Sequence, residues 1–328
     1  MDHKQRVRAA LAGEAVDHPP VSFWGHDFFR EWSPRQLADY TVEYQRLHDH
    51  DFVKLNPRAT YYYEAWGNTY DRPDEPRQPR MLSHALHSAS ELAALPEVDI
   101  AAGPFGEQTE ALRLVTRELG DEVDVIQTVF SPLAVAGRLA GPDLGVLRRW
   151  AAEDAAAVHT GLATISRVLA RYASESTEAG AAGVFFATVD WATRRTADED
   201  FYREFGRPYD LQVLQAVRGA PFNVLHVCRD ENLLALTLDY PVAAFNWATT
   251  EPGNMSLREA LSRSKKAVLG GLDQRAMSAE PAETLIEQAR AAVAETGGRR
   301  HIIGAGCAVS PLTPPATIDA VIAAVRAG

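Results

Sequence analysis

The chain has 328 residues, of which 46% are hydrophobic and 23% are charged, a balance typical of folded proteins and not of disordered ones. Its formal net charge of −11 argues against nucleic acid or an anionic membrane surface as a partner. It has only two cysteines, Cys228 and Cys307, which excludes a disulfide framework and makes a reducing, cytoplasmic setting the expectation. Three alternatives remain open for the two cysteines: a single disulfide bridge, two inert core positions, or a shared metal site. No apolar run approaches the roughly 18 residues of a membrane span.

Eight short apolar runs recur along the chain. Continuous apolar runs of this length are typical of parallel strands that are buried on both faces. We therefore predict strands at residues 20–24, 51–56, 123–130, 183–189, 222–228, 242–248, 267–272 and 301–306.

Longer polar and alanine-rich segments lie between these runs and predict helices. Ser33 followed by Pro34 is a typical helix start, so a helix is expected over residues 33–49. Residues 143–172 are long enough for two helices or one bent helix. Pro208 predicts a kink or break in the segment 198–218. Further helices are expected at residues 256–264, 281–296 and 314–327.

Eight strands alternating with helices predict an α/β fold of the (β/α)8 TIM-barrel type, as a single domain over residues 1–328. A doubly wound open sheet is the main competitor, but no G-x-G-x-x-G turn follows the first strand. Residues 58–104, after strand 2, form the main insertion, which we interpret as a hairpin or lid over one end of the barrel. The alternative is an aromatic cluster on the barrel rim, built from Tyr61, Tyr62, Tyr63, Trp66 and Tyr70.

Both cysteines fall at the carboxyl ends of predicted strands. His226 and Cys228 close the fifth strand and share one face of it, and Cys307 follows the eighth. Active sites of such barrels lie at the carboxyl ends of the strands, so these three residues can meet. One imidazole and two thiolates are a good ligand set for zinc, with a fourth position open. Each cysteine alone is equally typical of a buried core position.

Further candidates lie at the same end of the predicted barrel. His26 and Asp27 follow strand 1 and Asp190 follows strand 4, and we expect these three to be catalytic. A cap or loop hydrogen bond is the alternative for Asp190. The remaining candidates would line a cofactor pocket, although tryptophans at such positions are often core residues; they are Trp24, Trp191, Asn246 and Trp247.

Four segments of the chain resemble the uroporphyrinogen decarboxylase superfamily, and within it the zinc-dependent methyltransferases that include the methylcobamide:coenzyme M type. The segments are RVRAALAGEAVDHPPVSFW, LHVCRD, GGLDQR and GAGCAVSPLTPPATI. The zinc signature of that branch is H-x-C followed by a cysteine some eighty residues later, and here 78 residues separate Cys228 from Cys307. The resemblance implies Zn²⁺ held by His226, Cys228 and Cys307.

The resemblance also implies a function. A zinc-activated thiol would exchange a methyl group with a corrinoid or another donor, so the partners are a small thiol or methylated substrate. No corrinoid-binding D-x-H-x-x-G segment occurs, so a corrinoid would arrive free or on a separate protein. The chain departs from the family at three positions. Arg229 stands where the H-x-C-G segment of the family has glycine, and Gly271 and Thr317 each stand where the family usually has asparagine.

Two alternatives to methyl transfer remain at this point. One is a metal-free decarboxylase or lyase, although the segment FWGHDFFREW has only Arg30 to bind the many carboxylates of a uroporphyrinogen. The other is a non-catalytic protein that binds a cofactor.

Overall fold

The structure, a computed structural model, describes all residues 1–328. Nine strands occur along the chain: β1 (Phe52–Leu55), β2 (Thr69–Tyr70), β3 (Met81–Ser83), β4 (Asp124–Phe130), β5 (Gly183–Ala187), β6 (Val224–Val227), β7 (Ala244–Trp247), β8 (Ala267–Leu272) and β9 (His301–Ala305). Seven of them form one curled parallel sheet in the order β1-β4-β5-β6-β7-β8-β9, and β2 and β3 form a separate antiparallel hairpin. Each sheet strand lies within one of the predicted runs, because these runs supply apolar side chains to both faces.

The segment 20–24 is not a regular strand, which corrects the prediction of eight. It makes only isolated parallel bridges with the last part of the chain, between Val21 and Ile303 and between Gly25 and Val309. On its other side, the Asp51 amide donates to the Val21 carbonyl. Pro20 has no N–H to donate, which shortens the ladder here. The segment nevertheless lies between β9 and β1, so the fold is TIM-barrel-like.

Fourteen α-helices surround the sheet: α1 (His3–Ala12), α2 (Pro34–His48), α3 (Tyr61–Glu64), α4 (Ala89–Ala93), α5 (Gly103–Leu119), α6 (Pro132–Leu139), α7 (Gly145–Glu153), α8 (Ala155–Glu178), α9 (Glu199–Phe201), α10 (Arg207–Ala216), α11 (Leu257–Arg263), α12 (Ala276–Ala279), α13 (Ala282–Thr296) and α14 (Pro315–Ala327). A π-helical turn, Tyr202–Gly206, and a 3-10 turn, Leu234–Leu236, complete the list. None of the helices is long and apolar enough to cross a membrane.

Local sequence signals explain several helix ends. The Ser33 side chain caps α2 and Pro34 occupies its first turn, as predicted. Asp154 separates α7 from α8 and caps the second helix through the Ala157 amide, so the long segment is two helices. Pro208 lies in the first turn of α10, directly after the π-helical turn, so the helix is broken where the proline predicted.

The insertion contains the hairpin β2–β3, but a lid over the barrel is not confirmed. Its aromatic residues pack inward: Tyr62 stacks on Phe130 at the end of β4, with ring centroids 4.3 Å apart. Tyr62 also donates to the Thr128 carbonyl at 2.7 Å, and Tyr61 bonds the Tyr172 hydroxyl of α8 at 3.1 Å. The observed arrangement is therefore the alternative of an aromatic cluster, packed against β4 and α8.

Two layers of apolar side chains hold the sheet. The inner cluster fills the space enclosed by the strands and includes Trp24, Phe52, Phe185 and Phe222. A much larger outer cluster lies between the strands and the helices. Because side chains alternate along a strand, the inner cluster fixes which residues point toward the carboxyl-end opening. In β1 these are Phe52 and Lys54, followed by Asn56 just after the strand, and in β6 they include His226.

Candidate metal centre

Three metal-binding side chains meet at the carboxyl end of the sheet. His226 lies in β6, Cys228 follows that strand, and Cys307 follows β9. Their ligand atoms all lie within 4.8 Å of one another, and Cys228 Sγ is 2.8 Å from His226 Nε2. The structure therefore brings together the three residues singled out in the sequence, although β6 and β9 are separated by two strands in the sheet. We call His226, Cys228 and Cys307 the triad.

The triad has the chemistry and the spacing of a zinc site. Tetrahedral zinc with bonds of about 2.0–2.3 Å keeps its ligand atoms roughly 3.5–4 Å apart, which lies within the 4.8 Å limit of the triad. The 2.8 Å between Cys228 Sγ and His226 Nε2 is shorter, so these two atoms would separate to hold the ion. Thiolate and imidazole are ligands that select zinc over hard cations such as magnesium. Both cysteines are free, so neither sulfur is consumed by a disulfide. The residues present therefore fit a zinc ion with one open position.

The two thiols strongly affect each other's ionisation. Interaction with the Cys228 thiol, helped by His226, holds the pKa of Cys307 well below that of an ordinary thiol. The same interaction, together with burial, raises the pKa of Cys228 well above it. The first thiolate therefore forms easily, and the second forms only when a cation compensates the added charge. This behaviour is what a pair of metal-binding cysteines requires.

Asp190 lies beside the triad and is held by two arginines. Its Oδ1 accepts from Arg229 Nε at 2.7 Å, and its Oδ2 accepts from Arg138 at 3.2 Å. Val189 and Arg229 both have positive φ angles, 50° and 70°, which are strained for residues other than glycine. These two turns bring Asp190 and Arg229 together next to Cys228. Because Arg229 and Arg138 engage one oxygen each, the carboxylate holds both guanidinium groups in place.

His26 and Asp27 lie further out, on the loop after the segment 20–24. His26 Nδ1 lies 2.7 Å from Glu31 Oε1, and its ring stacks on Phe28. Asp27 Oδ1 accepts from the Phe29 and Arg30 amides, so it caps the turn of this loop. Both residues line a cleft of about 350 Å³ beside α2 and α14, and neither belongs to the triad.

The four predicted cofactor residues fall into two groups. Asn246 is fully buried in β7 at the position paired with His226, and its Nδ2 donates to the carbonyls of Leu269 and Ala305. Trp24 lies in the inner cluster, against Phe185. Trp191 and Trp247 are buried in the outer cluster, and Trp247 Nε1 donates to the Met255 carbonyl at 2.7 Å.

Sequence reasoning missed Lys54 and Asn56, which point into the same opening from β1. Lys54 is only 8% exposed, and its Nζ donates to Asn56 Oδ1. Burial lowers the pKa of Lys54 to about 7, although the Cys307 thiol, Glu31 and the Cys228 thiol oppose this shift. The signal was present in the sequence: a lysine in the middle of the apolar run FVKL is unusual, because lysines are almost never fully buried without a partner.

With this geometry established, comparison with known proteins shows the family. The family model described as uroporphyrinogen decarboxylase (URO-D) matches residues 2–328. The chain belongs to the URO-D family. Among curated relatives, the methylcobamide:CoM methyltransferase MtaA of Methanosarcina barkeri is 23% identical, over 98% of this chain and 96% of the relative. A uroporphyrinogen decarboxylase of Sorangium cellulosum is 28% identical, over 66% of this chain and 62% of the relative.

Solved structures agree on the URO-D fold. A methyltransferase from Methanosarcina mazei superposes with a TM-score of 0.85 at 21% identity, covering 99% of this chain and 98% of the other. A B12-independent methionine synthase from Shewanella superposes with a TM-score of 0.63 at 11% identity, covering 94% of this chain and 96% of the other. At these identities the likeness concerns the fold alone.

The structure gives a physical meaning to one departure from the URO-D pattern. Arg229 stands where the H-x-C-G pattern has glycine, and its φ of 70° is a conformation that glycine adopts without strain. An arginine at this position adds a guanidinium beside the triad, which the Asp190 carboxylate holds in place. The backbone turn of the pattern is thus kept while the side chain is new.

Proposed function

We propose that the protein is a zinc-dependent methyltransferase that moves a methyl group between a corrinoid, or another methyl donor, and a thiol. The observation that carries this proposal is the triad, which brings two thiols and one imidazole within 4.8 Å of one another at the carboxyl end of the sheet. The names of the URO-D relatives MtaA and MtbA, both methylcobamide:CoM methyltransferases, support it.

In this proposal His226, Cys228 and Cys307 hold the zinc ion. When bound there, zinc would lower the pKa of a substrate thiol and leave the sulfur nucleophilic, because two thiolates already cancel the charge of the metal. His226 Nδ1 is buried without a partner, and so is Asn246 Oδ1 at the paired position of the next strand. We assign Asn246 the orientation of His226, since zinc-bound histidines need an acceptor for their second nitrogen.

The corrinoid would come from outside the chain. The sequence contains no D-x-H-x-x-G segment of the kind that binds a corrinoid, so a separate protein or the free cofactor would deliver it. The guanidinium groups of Arg138 and Arg229 both bind Asp190, so these three side chains together carry one positive charge. The rim therefore suits a donor that carries negative groups.

Decarboxylation of a uroporphyrinogen is less well supported. That substrate carries many carboxylates and needs several fixed cations. Arg30, the one arginine of the loop after the segment 20–24, is bound to Glu43 through two contacts of 2.6 and 3.0 Å at the surface. Its guanidinium is therefore already paired with a carboxylate of the chain itself.

The proposal is tested by methyl transfer from methylcobalamin to 2-mercaptoethanol, followed by the absorbance change of the corrinoid. We expect turnover with the zinc-loaded protein and a loss of at least about 100-fold in His226→Ala, since even second-sphere changes at zinc sites cost about 10–100-fold. His87→Ala, a change of an exposed histidine, is the matched control and should keep full activity. Stoichiometric corrinoid binding without turnover would instead support a carrier, and metal-independent release of CO2 a decarboxylase.

A further inference from the structure

Lys54 is a buried cation without an anionic partner. Its ammonium lies over the ring of Phe185 at 4.8 Å and near the ring of Trp24 at 5.8 Å. Asn56 Oδ1 is its single hydrogen-bond acceptor, and Asn56 is itself fixed by donating to the Gly25 carbonyl at 2.7 Å. An ammonium has three N–H donors, so two of them remain unpaired in a site with little solvent. A buried cation left in this state is costly unless an anion joins it.

The surroundings of Lys54 connect it to the triad. Its ammonium and the imidazole of His226 both pack against Phe185, and the two ring centroids of that stack are 5.1 Å apart. The ionisable groups that act on Lys54 are Cys307, Glu31 and Cys228. Glu31 Oε1 is engaged by His26, while Glu31 Oε2 is buried without a partner, and neither Glu31 nor either thiol is hydrogen-bonded to the ammonium. Lys54 is thus within electrostatic reach of both sulfurs and is hydrogen-bonded to neither.

The charge of the site decides when Lys54 gains a partner. Two thiolates neutralise a divalent zinc ion, so a loaded triad offers the ammonium no net negative charge. A substrate thiol that loses its proton at the open side of the triad adds one negative charge. Lys54 is suited to accept the proton of this thiol, because burial lowers its pKa to about 7 and so keeps its amine largely unprotonated at slightly alkaline pH.

We propose that Lys54 accepts the proton of the substrate thiol and then balances the charge of the resulting thiolate. This inference rests on the proposed function, because it requires a thiol at the triad. The S–H bond breaks, its electron pair stays on sulfur, and the proton binds the lone pair of Lys54 Nζ. When the sulfur takes the methyl group, the bond between the donor and the methyl carbon breaks and its electron pair stays on the donor. The sulfur is then a neutral thioether, and Lys54 returns the proton to solvent. No electron is transferred to or from the protein.

The test counts the protons released when a thiol binds. Zinc-loaded protein is titrated with 2-mercaptoethanol by calorimetry, in two buffers of different ionisation heat, at about pH 6 and about pH 8. At pH 6 Lys54 is already protonated, so we expect about one proton to reach the buffer. At pH 8 Lys54 takes the proton, and we expect close to none. This comparison needs no variant and therefore does not depend on the folding of one.

Two variants distinguish the role of Lys54 as a proton acceptor from its role as a positive charge beside the thiolate. Lys54→Met should release about one proton at both pH values and bind the thiol at least about tenfold more weakly, because an opposite charge nearby shifts such equilibria by about 1–3 pK units. Lys54→Arg keeps the charge but cannot accept a proton, so it should also release one proton at both pH values while binding more tightly than Lys54→Met.

Two results would overturn the inference in different ways. If the unchanged protein releases one proton at pH 8, as Lys54→Met does, Lys54 is not the acceptor, although thiol binding at the triad still stands. If zinc-loaded protein binds no thiol at either pH, the proposed function fails, and the role of Lys54 fails with it.

Discussion

Two buried cations at opposite ends of the sheet differ in their hydrogen-bond partners. Arg6, at the amino end, is 6% exposed and donates to Asp17 at 2.7 Å and to Asp51 at 2.5 Å. Lys54, toward the carboxyl end, is 8% exposed and has only the neutral Asn56 amide. Asp51 and Lys54 are three residues apart in the same segment. The buried cation at the amino end is thus paired with carboxylates, while the one toward the carboxyl end is not, which agrees with catalysis at that end of barrel folds.

The largest effect on stability is expected from removing Arg6, the paired cation at the amino end of the sheet. Arg6→Met leaves the fully buried Asp51 carboxylate without its arginine. Removing one partner of a buried ion pair costs about 3–5 kcal/mol, so we expect the free energy of unfolding to fall by that amount. Urea denaturation measures it. Arg8→Met is the matched control, because Arg8 is exposed and lies 3.9 Å from Asp124, and its loss should change stability by less than about 0.5 kcal/mol.

Removing Lys54, the unpaired cation toward the carboxyl end, should change the free energy of unfolding in the opposite direction. Replacing the unpaired ammonium in Lys54→Met should raise the free energy of unfolding by about 1–4 kcal/mol at pH 6 in the absence of thiol. Burial lowers the pKa of Lys54 from 10.5 to about 7, so the folded protein carries the full penalty below pH 7 and loses it as pH rises toward 10.5. The gain in Lys54→Met should therefore shrink between pH 7 and 10. A destabilised variant at pH 6 would show that Lys54 is paired after all.

The smallest effect is expected for the charged group at the carboxyl end that does have partners. Asp190→Asn removes a carboxylate that is 13% exposed, but its partner Arg229 is 62% exposed and well solvated. Pairs at the rim are worth less than about 1 kcal/mol, so thermal denaturation should show a change of that size. Bound zinc should be unchanged. Loss of zinc in Asp190→Asn would mean that Asp190 is needed at the metal and does more than hold Arg229.

Much of the fold could be predicted from the sequence because parallel strands need continuous apolar runs. This signal identified all seven strands of the main sheet. It failed at residues 20–24, since an apolar run does not show whether backbone groups find partners on both sides, and Pro20 removes one donor. The aromatic run at Tyr61–Glu64 was equally ambiguous, because aromatic residues in an insertion can cover an opening or pack against a helix.

The candidate site was predictable where the residues themselves are rare. Two cysteines and one histidine at strand ends are few enough to be considered together, and the structure brings them within 4.8 Å. Asp27 and Asp190 carried no such signal, since an aspartate after a strand caps a turn or pairs with an arginine as often as it reacts. Lys54 was missed because its importance depends on the lack of an anionic partner, and that lack is visible only in the three-dimensional structure.

The central claim is that the triad holds zinc and leaves one position for a thiol. Zinc X-ray absorption spectroscopy of the loaded protein tests this directly. We predict two sulfur ligands at about 2.3 Å with one nitrogen at about 2.0–2.1 Å and one further light atom, changing to three sulfur ligands when 2-mercaptoethanol is added. Cys307→Ala should lose the stoichiometric metal. Full retention of zinc in that variant, or a sulfur count that does not rise with thiol, would contradict the account.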